Sequence, residues 1–400
     1  MAATLRHAVG SLLVVGLGGS ELTGLERAWL RLVRPGGIIL FKRNIVDATQ
    51  TRTLLDEATG LGAVHSVRCV DVEGGTVNRL RDSFGVIPSA QAVAAATRRS
   101  NNTSGNNRRR SKFPESQNRD LPHPRSLARE HGELIARAVK AFGFNTALAP
   151  VVDLALPESA TVMGSRTAGP TPAEAVDYAR AFLAGLAAQN VAGCGKHFPG
   201  LGGGVTDSHF ETPQITRKWQ QLWDEDLVPY RELTDAMPMV MVNHAAYPET
   251  PGKNKPASAS DYWITNVLRK RVGYGGIIVS DDLEMGGILK FLPVNDAAVA
   301  AMRAGTDMML ICHSAELILR TYEALITEAE GSAAFQKLLL TRAREVAKKR
   351  ARLYGKTIPA PLSAKQFEAL RQRATRFRES IESSEADAIT PRAAFPAETS

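Results

Sequence analysis

Eight short apolar runs, most of them followed by a stretch with helical periodicity, recur along the chain and leave few folds open to it. They are "SLLVVG" (11–16), "GIILF" (37–41), "SVRCVD" (66–71), "TALAPVVD" (146–153), "GCGKHF" (193–198), "MVMVNH" (239–244), "GIIVSD" (276–281) and "MMLICH" (308–313). The runs are continuous rather than alternating, as expected of strands buried on both faces of a parallel sheet. Helical stretches such as "LERAWLRLVR", "TPAEAVDYARAFLAGLAAQN" and "SAELILRTYEALITEAE" lie between them, several opening at Ser, Thr, Asp or Asn and closing at Gly or Asn. Eight such runs suit a closed (β/α)8 barrel, although a doubly wound open sheet produces the same alternation.

The polar residues at the ends of the runs favour the barrel. Asp71, Asp153, Lys196, His197, Asn243, His244, Asp281 and His313 all fall at or just after the C-terminal end of a run. In a barrel those ends form one ring-shaped mouth, whereas in an open sheet they spread along a crevice. Strand ends meet water and are often polar, but that alone does not account for the repetition of Asp, His and Lys.

Composition sets the surroundings of this barrel. With 44% hydrophobic and 22% charged residues among 400, the chain has the make-up of a soluble globular protein. The net charge of +8 is concentrated in residues 98–125, "RRSNNTSGNNRRRSKFPESQNRDLPHPR", where eight basic residues face two acidic ones. Without apolar periodicity, this segment is expected to be a solvated, disordered insertion within a catalytic unit spanning 1–354. No nucleic-acid partner is expected from it. Residues 355–400 are expected to form an extension, partly helical and partly disordered. Cys69, Cys194 and Cys312 lie far apart in apolar runs and read as buried thiols of a reducing, cytoplasmic compartment. The N-terminal run is strand-length with no clean cleavage site, and no stretch is long enough to span a membrane.

The richest segment is "GKHFPGLGGGVTDSHFETP" (195–213). Lys196 and His197 end a strand, and the glycines that follow cannot build a regular element, so a long loop is expected to carry Asp207 and His209. At that spacing the carboxylate can accept from one imidazole nitrogen and poise the other as a general acid/base, or the pair can form a simple surface turn. In "GIIVSDDLEMGG", Asp281 is expected to face inward as a nucleophile with Asp282 turned elsewhere, the bland alternative being a helix cap. In "CVDVEGGTVNRLR", Asp71 and Arg79 can bind sugar hydroxyls or pair with each other. Metal-ligand spacing, a phosphate-binding loop and a nucleotide fingerprint are absent from the sequence, so no cofactor is expected.

The segments "VDVEGGTVNRLR", "GKHFPGLGGGVTDSHFETP", "DEDLVPYREL" and "GGIIVSDDLEMGG", in this order, resemble the family 3 glycoside hydrolases, in particular their single-domain bacterial β-N-acetylglucosaminidase branch. The resemblance extends from about Ser11 to Ala329. It implies a TIM-like barrel, Asp281 as nucleophile, His209 assisted by Asp207 as acid/base, and substrate contacts from Asp71, Arg79, Arg166, Lys196 and His197. It implies a retaining exo-acting enzyme that removes terminal N-acetylglucosamine from anhydro-muropeptide fragments in cell-wall recycling. A β-glucosidase, a glycoside phosphorylase and a non-catalytic cell-wall sugar-binding relative are the rival readings. One departure stands out. Where the family continues K-H-F-P-G-H-G, this chain has Leu201, which removes a polar group from the base of the loop.

Overall fold

The computed structural model describes residues 2–108, 125–204, 212–253, 255–355 and 360–389. Among the described residues ten strands are formed: β1 (Leu13–Val15), β2 (Gly37–Leu40), β3 (Val67–Val70), β4 (Val72–Gly74), β5 (Val77–Asn78), β6 (Thr146–Ala147), β7 (Ala192–Phe198), β8 (Met239–Val242), β9 (Ile277–Asp282) and β10 (Met308–Ile311). Eight of them close into a parallel barrel in the order β1-β10-β9-β8-β7-β6-β3-β2, and β4 and β5 form a separate antiparallel hairpin. Each of the eight apolar runs contributes one barrel strand. β1 pairs with both β2 and β10, so the N-terminal apolar run closes the barrel.

Local chemistry explains where the elements start and stop. The helix Gly24–Val33 opens on a capping box in which Thr23 and Glu26 exchange hydrogen bonds, and Pro172 follows the Thr171 cap of the helix Pro172–Ala188. β6 is much shorter than its 146–153 run. Pro150 has no N–H to give to a ladder, so pairing beyond Ala147 is reduced to an isolated bridge between Val151 and Lys196.

One segment differs from expectation. The helix Ala90–Arg108 runs well into the basic stretch, because an alanine-rich start and the lack of proline before Pro114 let it continue; residues 109–124 lie outside the described residues. The C-terminal extension contains the helix Ala364–Ile389, which is docked on the barrel. Its buried Leu370, Ala374, Phe377 and Ile381 recur at helical spacing. Phe377 stacks on buried His131 at 6.0 Å, and Phe367 meets Phe84 and Phe142. No helix among the described residues is long and apolar enough to cross a membrane.

Candidate active site

The C-terminal ends of the barrel strands surround a cavity of about 580 Å³. Asp71, Arg79, Arg166, Lys196, His197 and Asp281 all line it, so the structure brings together every expected site residue that it describes. Asp207 and His209 lie outside the described residues. Phe41, Arg43, Asp282, Glu284 and His313 complete much of the remaining wall.

The β4–β5 hairpin carries the first part of the site. Its turn uses Gly74 at φ +90° and Gly75 at φ +61°, and a Cβ on Gly74 would sit 2.0 Å from the Pro88 carbonyl oxygen. The hairpin hangs Glu73 beside the mouth, where it is only 4% exposed. Lys196 Nζ donates to Asp71 Oδ1 at 2.8 Å and lies 2.7 Å from Glu73 Oε1. Arg166 grips the same Glu73 through two bonds, Nε to Oε2 at 2.8 Å and Nη2 to Oε1 at 2.9 Å. Of the two alternatives for Asp71 and Arg79, the mutual ion pair is not formed. Asp71 is taken by Lys196, and Arg79 Nε finds no partner among the described residues.

These contacts decide the charge states. Burial alone would raise the Glu73 carboxyl, but Lys196 and Arg166 reverse that and hold it well below the usual glutamate range. Burial works against the Lys196 ammonium too, and Asp71 and Glu73 hold it above the usual lysine range. The floor of the site is thus a fixed array of charges rather than a titrating one.

Asp153, at the end of the 146–153 run, orients His197. Its Oδ2 accepts the His197 backbone N–H at 3.1 Å and lies 2.7 Å from Nδ1. A carboxylate at Nδ1 places the proton there and leaves Nε2 as acceptor, and Arg166 Nη2 stands 3.3 Å from it. Asp153 Oδ1 takes the Leu201 N–H at 2.8 Å. The loss of a polar side chain at position 201 is therefore offset locally, because the backbone amide anchors the base of the loop whatever its side chain. Asn243 adds a second brace, donating to the His197 carbonyl at 2.9 Å. Tyr247 donates to Gly200 at 2.7 Å.

Asp281 stands across the cavity on β9. Burial would push its carboxyl up. The neighbouring His197 and His244 rings, the Asp282 N–H at 2.9 Å from Oδ1 and Lys196 outweigh this and hold it below the ordinary aspartate value. An ionised carboxylate at a half-buried rim is the state a nucleophile needs. His244 supports the strand from below, its Nε2 donating to the Asp282 carbonyl at 2.9 Å and its Nδ1 facing Ser258 Oγ at 2.7 Å. Asp282 is not turned away as expected. It lines the cavity while its Oδ1 takes the Glu284 N–H at 3.1 Å.

Asp282, Glu284 and His313 lie close enough to one another to hold a metal ion. The hydrogen bonds argue otherwise. Arg43 Nη1 is 3.1 Å from His313 Nδ1 and can only donate, so Nε2 carries the proton toward Asp282 Oδ2 at 3.3 Å and has no lone pair to offer. Arg43 also donates to the Leu17 and Cys312 carbonyls, tying the ends of β1 and β10 together.

Glu73, Asp153, Asn243 and His244 were not among the expected site residues, although the last three end apolar runs. Glu73 carried no such signal.

The family model for the glycosyl hydrolase family 3 N terminal domain matches residues 4–347. A beta-hexosaminidase of Alkalilimnicola ehrlichii is 36% identical over 307 residues, covering 76% of this chain and 82% of the relative. A beta-hexosaminidase of Pseudomonas aeruginosa is 36% identical over 324 residues, covering 78% and 86%. Among solved structures, the family 3 beta-N-acetylglucosaminidase of Paenibacillus sp. str. FPU-7 superposes with a TM-score of 0.78 at 28% identity, covering 93% of this chain and 68% of that one. NagZ from Neisseria gonorrhoeae, in complex with N-trifluoroacetyl-D-glucosamine, superposes with a TM-score of 0.71 at 26% identity, covering 95% and 98%. With a closed barrel, a charged cavity at its C-terminal mouth and this extent of similarity, the chain belongs to glycosyl hydrolase family 3 and is a glycoside hydrolase.

Proposed function

We propose that the protein is a retaining, exo-acting β-N-acetylglucosaminidase that releases terminal non-reducing N-acetylglucosamine from anhydro-muropeptide fragments during cell-wall recycling in the cytoplasm. The observation that carries the reading is Asp281, held ionised at the rim of a cavity whose opposite wall is the Asp71–Lys196–Glu73–Arg166 array. Fixed donors and acceptors of this kind suit the hydroxyl and acetamido groups of one sugar. The beta-hexosaminidase names of the relatives support the same substrate class. The three buried free cysteines accord with a reducing compartment.

In the first step Asp281 attacks the anomeric carbon while His209, assisted by Asp207, protonates the departing oxygen. The bond to the aglycone breaks as the bond to the carboxylate forms, through an oxocarbenium-like transition state. In the second step neutral His209 takes a proton from water, which attacks the same carbon and restores Asp281. Lys196, Arg166 and the Asp153-oriented His197 position the sugar in both steps.

The test is nitrophenol release from the β-N-acetylglucosaminide and the β-glucoside, each with and without phosphate. A fluorinated N-acetylglucosaminyl fluoride provides the second arm by trapping the intermediate for peptide mass analysis. Phosphate-independent turnover of the N-acetylglucosaminide, with the adduct on Asp281, is the expected result. Preference for the glucoside overturns the substrate, phosphate dependence overturns hydrolysis, and an adduct elsewhere overturns the nucleophile.

A further inference from the structure

A second cavity, of about 540 Å³, opens at the face opposite the catalytic mouth. It lies beside Ser11, Arg34 and the 63–65 turn, which immediately precede β1, β2 and β3, and is closed by the helix Ala333–Tyr354. All of its ionisable lining residues are basic: Arg34, Arg344, Arg350, His7 and His65. No aspartate or glutamate lines it among the described residues.

Arg350 is the unusual member. It is 2% exposed, yet its one hydrogen bond among the described residues runs from Nη1 to the Gly36 carbonyl at 2.8 Å. Among the described residues Nε has no partner and no carboxylate pairs with the guanidinium. Burial pulls the group down to about 10, with Tyr354 opposing. A buried cation without a counter-ion is costly, and arginine is the side chain whose planar fork best matches an oxyanion. The rim adds charge of the same sign. Arg34 sits at φ 54° in the left-handed cap of its helix, with no side-chain hydrogen bond or ion pair among the described residues. Burial, and then the charge of Arg34, pull His7 below its ordinary value. Like charges gathered around a buried arginine form a lining that an anion would relieve.

We propose that this cavity binds a phosphate monoester, its phosphate on Arg350 and the rim arginines and its organic part against Leu340, Ala343 and Ala63. The ester follows from size, since the volume is that of a small-molecule pocket and inorganic phosphate alone would leave most of it to water. The site lies on the far face of the barrel from Asp281 and is separate from the glycosidase chemistry.

Isothermal titration of the full chain with a hexose 6-phosphate and with inorganic phosphate, in dilute chloride buffer, tests this directly. The expected result is saturable binding, tighter for the ester. The double variant R34S/R344S should weaken it by roughly tenfold or more while turnover of a nitrophenyl glycoside stays unchanged. These two side chains are exposed, so the variant tests the site without disturbing the core, and R350K then tests the floor. Absence of saturation by either probe, or binding that R34S/R344S leaves intact, overturns the site. Equal binding of the two probes overturns the ester.

Discussion

Asp153 and His197 are joined twice through a single oxygen, Oδ2, which takes both the backbone N–H and the Nδ1 proton of the histidine. The other oxygen is spent on Leu201, so one carboxylate fixes a ring tautomer and the start of the 200–204 loop together. In D153N the amide nitrogen must face one of these three donors. A buried donor left unmatched costs about 1–3 kcal/mol, so kcat/KM should fall by roughly 10- to 100-fold. Steady-state kinetics decide the point, and an unchanged kcat/KM would show that His197 needs no orientation from Asp153.

Glu73 holds two cations that have little other support. In E73Q the shared negative charge is gone and the amide NH2 must face either Lys196 or Arg166, so a single oxygen is left to accept from the two cations. Removing one partner of a buried ion pair costs about 3–5 kcal/mol, and both cations here line the cavity. The urea midpoint should drop and KM should rise more than kcat falls. Loss of stability with unchanged KM would assign Glu73 to the scaffold alone.

The contrast between Glu73 and the strands shows what the sequence made readable. The eight barrel strands announce themselves because each is a continuous apolar run, and a period of that kind survives in one dimension. Asp71, Lys196 and Asp281 follow as the charged residues that end those runs. Glu73 lies one residue inside a hairpin, and its partner Arg166 is 93 positions away. Nothing local encodes that meeting. The helix Ala364–Ile389 was legible only in part: a helical stretch is expected within 355–400, but the charged residues around its four buried apolar positions conceal the face that docks on His131.

Asp281 provides a prediction about pH. Because its carboxyl is held below the ordinary aspartate value, the nucleophile stays ionised through the usual aspartate range, and its protonation sets the lowest-pH part of the acid limb of kcat/KM. The shift is opposed by burial and sustained in part by His244. In H244Q the opposing contribution remains while part of the support is gone, so the acid limb should move toward higher pH. A pH–rate profile that is superimposable on the wild type would show that His244 acts only on the backbone of Asp282.

His131 links pH to folding. It is fully buried, with Nδ1 2.9 Å from the Tyr178 hydroxyl and its ring stacked on Phe377. Burial lowers its pKa from 6.5 to about 3. Its contribution to stability is therefore complete above about pH 6.5, where neither state binds the proton. As pH falls from there toward about 3, the unfolded chain takes up a proton that the folded one refuses. Stability should decline by about 1.4 kcal/mol per pH unit through that window from this group alone. Glutamine at 131 cannot titrate, so the difference in urea stability between wild type and H131Q should shrink as pH falls from 7 to 4. A difference that stays constant would mean that the folded protein accommodates the charged imidazole, and that the helix Ala364–Ile389 does not keep His131 dry.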